Sequence, residues 1–276
     1  MRLCVLLYTL ILPLTLHGET EKNPLDIRLI SATQSITQGS EFWLGFHLRH
    51  PAGAHTYWKH PGIVGLATQV EWDLPAGFSA GLIQWPAPEM VTMAVYQAQG
   101  YHDETLLLIP FKSPPNLTES TVTLTAKVSW MCCAKSCHPA AKVPFSITLP
   151  VAATATPDPV NSQLFAKFRA LVPKPDPSWR TTVARAKNEI ILTIQPPATA
   201  PSTDSTTGIH FFTADGQVDS NRPQQIERLP NQAIRLTLAV SETAPADSPT
   251  LPGVVVFPAG WPIAGQPFHL EIEPTY

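Results

Sequence analysis

"TVTLTAKVSWMCCAKSCHPAAKVPFSITLP", residues 121 to 150, alternates apolar and polar side chains on both flanks of a cysteine cluster. Val122, Leu124, Ala126, Val128 and Trp130 fall on one face of an extended chain, and Val143, Phe145, Ile147 and Leu149 on one face of another. Successive side chains of a strand point to opposite sides, so each run predicts a half-buried β-strand. One strand leads straight into the cysteines and the other leaves them.

The same texture extends outward. Leu25 to Leu29, the set Phe42, Leu44, Phe46 and Leu48, Val70 to Leu74, and Leu106 to Phe111 give a sandwich-sized set of strands before residue 150. Thirty prolines against 14 glycines, scattered between Val/Ile/Leu/Thr-rich runs, argue against long helices. "AATATPDPVNSQ" (152–163) reads as a linker. A short helix follows it, capped by Asn161 or Ser162, with Leu164, Phe165, Phe168 and Leu171 at helical spacing and Pro173 and Pro175 as its stop. Strands then resume at Thr181 to Val183, Glu189 to Ile194, Ile209 to Phe212, Ala233 to Ala239, Val254 to Phe257 and Phe268 to Ile272. The expected organisation is all-β: a sandwich over 22–151, a linker with one short helix over 152–175, and a second, smaller β domain over 176–276.

Met1-Arg2 followed by the apolar run Leu3 to Leu16 and the polar His17-Gly18-Glu19 has the pattern of a cleaved secretory signal, residues 1–18. The run is well short of the roughly 20 apolar residues that span a bilayer. Removal takes Cys4 with it, and the exported chain enters an oxidising compartment where disulfides persist. Roughly 255 residues then remain, enough for one large or two ordinary domains. Charged residues make up 14% of the chain and the net charge is −3, without a Lys/Arg cluster, so nucleic acid and anionic membranes are not expected partners. No later stretch is long and apolar enough for a transmembrane domain. No Ser/His/Asp order, phosphate loop or H-E-x-x-H motif supports a hydrolase or nucleotide-binding reading.

Three thiols, Cys132, Cys133 and Cys137, fall within six residues. If the strand through Trp130 continues, Cys132 follows it towards the core and Cys133 points the other way with Met131. Ala134-Lys135-Ser136 can turn the chain so that Cys137 returns beside Cys133. Such a short loop makes a poor staple, because entropic stabilisation grows with the length of the loop closed. Close pairs suit thiol exchange, in which one thiolate attacks a partner's disulfide and the second resolves the mixed disulfide. Lys135 and His138 are placed to favour a thiolate. A metal is the rival use: Met131, Cys132, Cys133, Cys137 and His138 are soft ligands suited to Cu(I) or Zn(II). Against it stand the opposed directions of Cys132 and Cys133 and the lack of paired C-x2-C spacing. Redox exchange, an inert local disulfide and a metal site all remain open on spacing alone.

"SWMCCAKSCHP" resembles the W-x-x-C-x3-C-x-P signature of the periplasmic N-terminal domain of DsbD-like thiol:disulfide interchange proteins, particularly the subgroup of copper-sensitivity suppressor proteins. "HTYWKHPGIVGLATQVEWDLPAGFSAGLIQWPAPE" (55–89) is similar to that subgroup's H-T-Y-W-x-x-P-G-x-x-G, W-x-L-P-x-G and I-x-W-P segments, and "GYHDETLLLIPF" (100–111) to its G-Y-x-x-x-x-x-L strand. "HFFTADGQVD" (210–219) resembles the family's second β module more loosely. The resemblance implies an immunoglobulin-like β sandwich whose redox pair is Cys133 and Cys137, with Trp130 and Pro139 shaping the site and Cys137 meeting partners. It also implies a periplasmic location, electrons from a thioredoxin-like or membrane electron-carrier protein, periplasmic protein substrates, and no cofactor beyond the disulfide. The chain to Tyr276 shows no membrane-spanning or C-x-x-C thioredoxin segment, so that supply is expected from a separate protein. Cys132 stands where the family usually has an aliphatic residue. It is expected to be a buried inert thiol, the alternative being a third redox or copper-binding one; a Cu(I)-binding, copper-tolerance role is the competing function.

His55, Tyr57 and Trp58 in "HTYWKHPG" are candidates for covering the pair or docking a partner, against the plainer reading of a core strand. Glu89 and Asp103 are carboxylate candidates for proton transfer near the thiols. Trp72, Trp85 and Trp179 are expected to pack.

Overall fold

The computed structural model describes residues 24–257, 261–262 and 268–276, so the segment read as a signal peptide lies outside the described residues. In chain order the first strands are β1 (Asp26–Ser31), β2 (Glu41–Arg49), β3 (Thr56–Gly62), β4 (Gln69–Asp73) and β5 (Ser79–Ala80). They are followed by β6 (Glu89–Met93), β7 (Tyr96–Tyr101), β8 (Glu104–Lys112), β9 (Thr121–Cys133) and β10 (Cys137–Pro150). The helix α1 (Asn161–Ala170) precedes β11 (Arg180–Ala186), β12 (Glu189–Gln195), β13 (His210–Thr213), β14 (Gln225–Arg228), β15 (Ile234–Ala239), β16 (Gly253–Phe257) and β17 (Phe268–Ile272).

Alternation builds the first core. Phe42, Leu44, Phe46 and Leu48 of β2 meet Val122, Leu124, Ala126, Val128 and Trp130 of β9 in one buried cluster. It lies between the sheets β1-β2-β8-β5 and β10-β9-β4, an immunoglobulin-like β sandwich. Phe46, Trp72, Phe111 and Phe145 form its aromatic centre, Trp72 standing edge-on to Phe111 at 4.8 Å. A third sheet, β3-β7-β6, carries the segment from Thr56 to Gly62 and the β6–β7 hairpin.

The second β domain pairs β11-β12-β15-β14 with β13-β16-β17. Its core gathers Ile190, Leu192 and Ile194 with Ile234, Leu236 and Leu238, and Trp179 packs there against Phe257, Trp261 and Phe268. The sheet β13-β16-β17 is buried on both sides: Phe211 and Val255 enter the second core, whereas Phe212 and Val254 enter the first. The two sandwiches therefore share an apolar seam.

Helix α1 buries Phe165 and Phe168 against Leu106 and Leu108 of β8. Such rings contribute about 1.5–3 kcal/mol each when fully buried. Its start differs from the expected cap. Neither Asn161 nor Ser162 caps it; Asp158 Oδ1 instead accepts from the Val160 and Asn161 amides at 3.0 and 2.7 Å. An acceptor two and three residues upstream satisfies the first N–H groups equally well and adds negative charge at the positive end of the helix.

Candidate functional site

The hairpin of β9 and β10 ends at its cysteines. Cys133 and Cys137 face each other as the terminal pair, with Cα atoms 4.1 Å apart, and are joined by a disulfide. The Ala134 amide donates to the Ser136 carbonyl and closes the turn. On its other side Cys133 exchanges two backbone hydrogen bonds with His55, at 2.8 and 2.9 Å. The peptide groups of Cys133 thus point towards His55. That leaves Cys133 and Cys137 in the non-hydrogen-bonded kind of cross-strand pair, whose Cα atoms stand closest.

Strand alternation continues through the cluster as the sequence predicts. Cys132 follows Val128 and Trp130 into the sandwich core, and Cys133 lies with Met131 in a separate cluster on the opposite face. Tyr57, Val91 and Ala98 are the buried walls of that recess, with Val64, Met93 and Cys137 partly exposed at its edge. Cys133 is fully buried and Cys137 half-buried. Met93, at the end of β6, brings its Sδ to 3.5 Å from the Cys137 Sγ. The tip beyond it, Ala94-Val95, turns with Ala94 at φ 55°, and Val95 and Tyr96 are exposed there.

His55 Nε2 and the Tyr57 hydroxyl are 3.3 Å apart, and the rings meet edge to face. Burial pushes the Tyr57 phenol up to about 12, so it keeps its proton and can donate to the His55 ring. Burial, with His102 adding repulsion, pulls His55 down to about 4. The wall beside Cys133 is consequently uncharged at neutral pH. Burial pushes the Cys132 thiol up to about 11, which removes it as a nucleophile.

The sequence-expected residues separate into distinct places. Trp130 packs in the sandwich core at 6.2 Å from Phe145, and Pro139 sits on β10 opposite Met131. Lys135 is exposed in the turn, and His138 Nε2 pairs with Ser136 Oγ at 3.0 Å. His55, Tyr57 and Trp58 are each 1% exposed, so none offers a docking surface. The backbone of β3 is stitched to Cys133 at one end, which turns Tyr57 into the recess and Trp58 into the sandwich core. The three-thiol metal set of Cys132, Cys133 and Cys137 does not converge, because Cys132 is on the other face. Among the described residues no group of three or more His, Cys, Asp and Glu side chains could hold a metal ion. Glu89 is engaged by His102, whose amide donates to it at 2.6 Å, and the Asp103 carbonyl by His50 at 3.2 Å.

Met93, Val91 and Val64 are the site residues that sequence reasoning missed. Val91 and Met93 do stand two apart, on one face of a strand, but nothing in the sequence aims that face at a cysteine 44 positions later.

Residues 27–149 match the family of the thiol:disulfide interchange protein DsbD, N-terminal. They form a DsbD-like N-terminal domain. The motif residues Trp130, Cys133, Cys137 and Pro139 of this DsbD-like domain all fall on the β9–β10 hairpin end. The N-terminal periplasmic domain of ScsB from Proteus mirabilis shares the architecture at a TM-score of 0.62 and 15% identity, over 92% of this chain and 94% of that one. At that identity the likeness is one of fold, and it reaches beyond the DsbD-like domain into the second β domain. A marsupial T cell receptor overlays at a TM-score of 0.19 and 8% identity, over 92% of this chain and 98% of that one, and carries no argument. No curated relative matches the chain. Among the described residues no helix is long and apolar enough to cross a membrane.

Proposed function

We propose that this chain is a periplasmic thiol:disulfide interchange module, passing electrons through Cys133 and Cys137 between a thioredoxin-like donor and periplasmic protein substrates. The observation that carries the reading is the asymmetry of the pair: a half-buried Cys137 at the rim and a fully buried Cys133 behind it, on a DsbD-like domain. The apolar leader and the family's periplasmic members support the compartment.

A donor thiolate attacks the Cys137 Sγ in line with the disulfide. The Cys133 sulfur leaves with the electron pair and takes up a proton, while donor and Cys137 form a mixed disulfide. The donor's second thiolate attacks the donor sulfur of that bond and releases Cys137 as a thiolate, which is protonated in turn. Two electrons and two protons have then entered the chain, and the donor holds a disulfide. With a substrate the steps reverse: Cys137 attacks the substrate disulfide, and Cys133 resolves the mixed species. No further cofactor is required, since the sulfur pair is the carrier.

The reduction potential tests this, measured in graded thiol buffers with thiol trapping and mass spectrometry. A Cys133–Cys137 bond titrating between about −180 and −270 mV belongs with exchange proteins, and one resistant below about −300 mV is structural. The circular dichroism of the reduced protein should match that of the oxidised one, because so small a loop contributes little to the fold.

A further inference from the structure

The seam between the two sandwiches converges on the segments that flank the disulfide. The Ser220 hydroxyl donates to the Gln97 carbonyl at 2.9 Å and accepts from the Ile63 amide at 3.3 Å. Its neighbour Asn221 accepts from the Gln97 amide through Oδ1 at 2.9 Å. Two side chains of the second domain thus hold both backbone groups of Gln97 and one of Ile63. Gln97 follows Tyr96, which pairs with Met93, and Ile63 precedes Val64; Met93 and Val64 line the sulfur recess.

The approach is tight by construction. Gly62, at φ 93°, lies against Ser220 so closely that a Cβ there would overlap the hydroxyl. A Cβ on Gly216, at φ 81°, would stand 2.6 Å from His60 Nε2. Deeper in, the buried Gln99 amide donates to the His60 carbonyl at 2.6 Å and the Thr213 carbonyl at 2.9 Å, tying β7, β3 and β13 together. The turn bearing Ser220 is itself fixed, since the Asn221 amide donates to Asp219 Oδ1 and the Asp219 amide to the Ala239 carbonyl.

We infer that Ser220 and Asn221 are positioning residues, through which the second domain holds the Met93 and Val64 segments over Cys137 and so limits access to the disulfide. This rests on the exchange reading for its biological meaning, but not for its test. The full oxidised chain carrying Ser220→Ala and Asn221→Ala together is compared with the parent in two ways. One is the rate of disulfide reduction by excess dithiothreitol, read by thiol trapping. The other is backbone amide exchange, read without any reduction.

Reduction should be more than about fivefold faster, since three hydrogen bonds are lost and one alone supplies about that factor. Amide exchange should rise in residues 62–66 and 92–99 and stay level in β2, β8 and β9. Asn221→Ala alone should give part of the effect, and Asn221→Asp, which keeps the Oδ acceptor, should restore the parent rate. Unchanged exchange in those two segments overturns the inference whatever the reduction rate, and so does a rise spread through both cores. A parent disulfide that resists reduction across the range of exchange proteins would instead overturn the exchange reading alone.

Discussion

The Sδ of Met93 lies 3.5 Å from the Sγ of Cys137, so a thioether covers one side of the sulfur nearer the surface. Met93→Ala removes that cover and leaves Val95 and Tyr96 at an emptied rim. We expect dithiothreitol to reduce the disulfide several-fold faster. The stability cost should be about 1 kcal/mol, below the 2–5 kcal/mol of a fully buried Met→Ala because the side chain is half-exposed. Met93→Leu, of similar volume, should keep the slow rate. Stopped thiol-trapping time courses and urea midpoints on the three proteins check this.

Cys132 tests the division between the two faces of β9. Its thiol is fully buried in the sandwich core, with its acidity suppressed to about 11. In the reduced native protein, maleimide should label the half-buried Cys137 and spare Cys132 until denaturant is added. Cys132→Ser places a hydroxyl among Trp130 and its apolar neighbours and should cost about 1–3 kcal/mol, with the reduction potential of the pair unchanged. Labelling of Cys132 at the rate of Cys137 would contradict the burial.

Much of this was legible in the sequence, for a physical reason. Where one face of a strand is buried, period-2 alternation is strong, as in β2, β9 and β12, and it also placed Cys132 and Cys133 on opposite faces. The β6–β7 hairpin was not legible. Its buried residues include Ala98 and Gly100, which carry little or no side chain, so the apolar contrast is weak. The edge strand β14, "QIER", is short and polar for the same want of a buried face. The site's walls come from β3, β6 and β7, and sequence spacing carries no record of which sheet faces a cysteine. His55, Tyr57 and Trp58 are buried as the plainer core-strand reading has it, and Tyr57 also lies against Cys133, because aromatic and polar character together suit a buried, hydrogen-bonded strand.

Acid should loosen the fold through its imidazoles. Burial holds His50, His55 and His210 at about 4, below the ordinary 6.5. The unfolded chain therefore binds protons first as pH falls, and stability that is whole above about pH 6.5 drains away between 6.5 and 4. Each imidazole contributes up to about 1.4 kcal/mol per pH unit in that window. His210 Nε2 stands 3.1 Å from the Gln224 side-chain nitrogen, an N–H donor that a protonated ring could not accept from. His210→Gln should flatten the slope of urea stability measured at pH 7.5, 6 and 5. An unchanged slope would remove His210 from the account.

Gly65 gives the sharpest test of the recess wall. It adopts φ 99°, and a Cβ built on it would lie inside the Tyr57 ring. Gly65→Ala must therefore strain the backbone and push Tyr57 off Val91 and Cys133, at a cost of roughly 2–5 kcal/mol. Gly53 separates the two causes, because it has φ 75° but nothing within 4 Å of its built Cβ. Gly53→Ala should cost about 1 kcal/mol from the backbone alone and leave dithiothreitol reduction unchanged. Thermal midpoints and reduction rates of both variants decide the matter. Equal losses would mean that the ring contact contributes nothing, whereas a larger loss with faster reduction in Gly65→Ala would place Tyr57 as the wall that keeps solvent from Cys133.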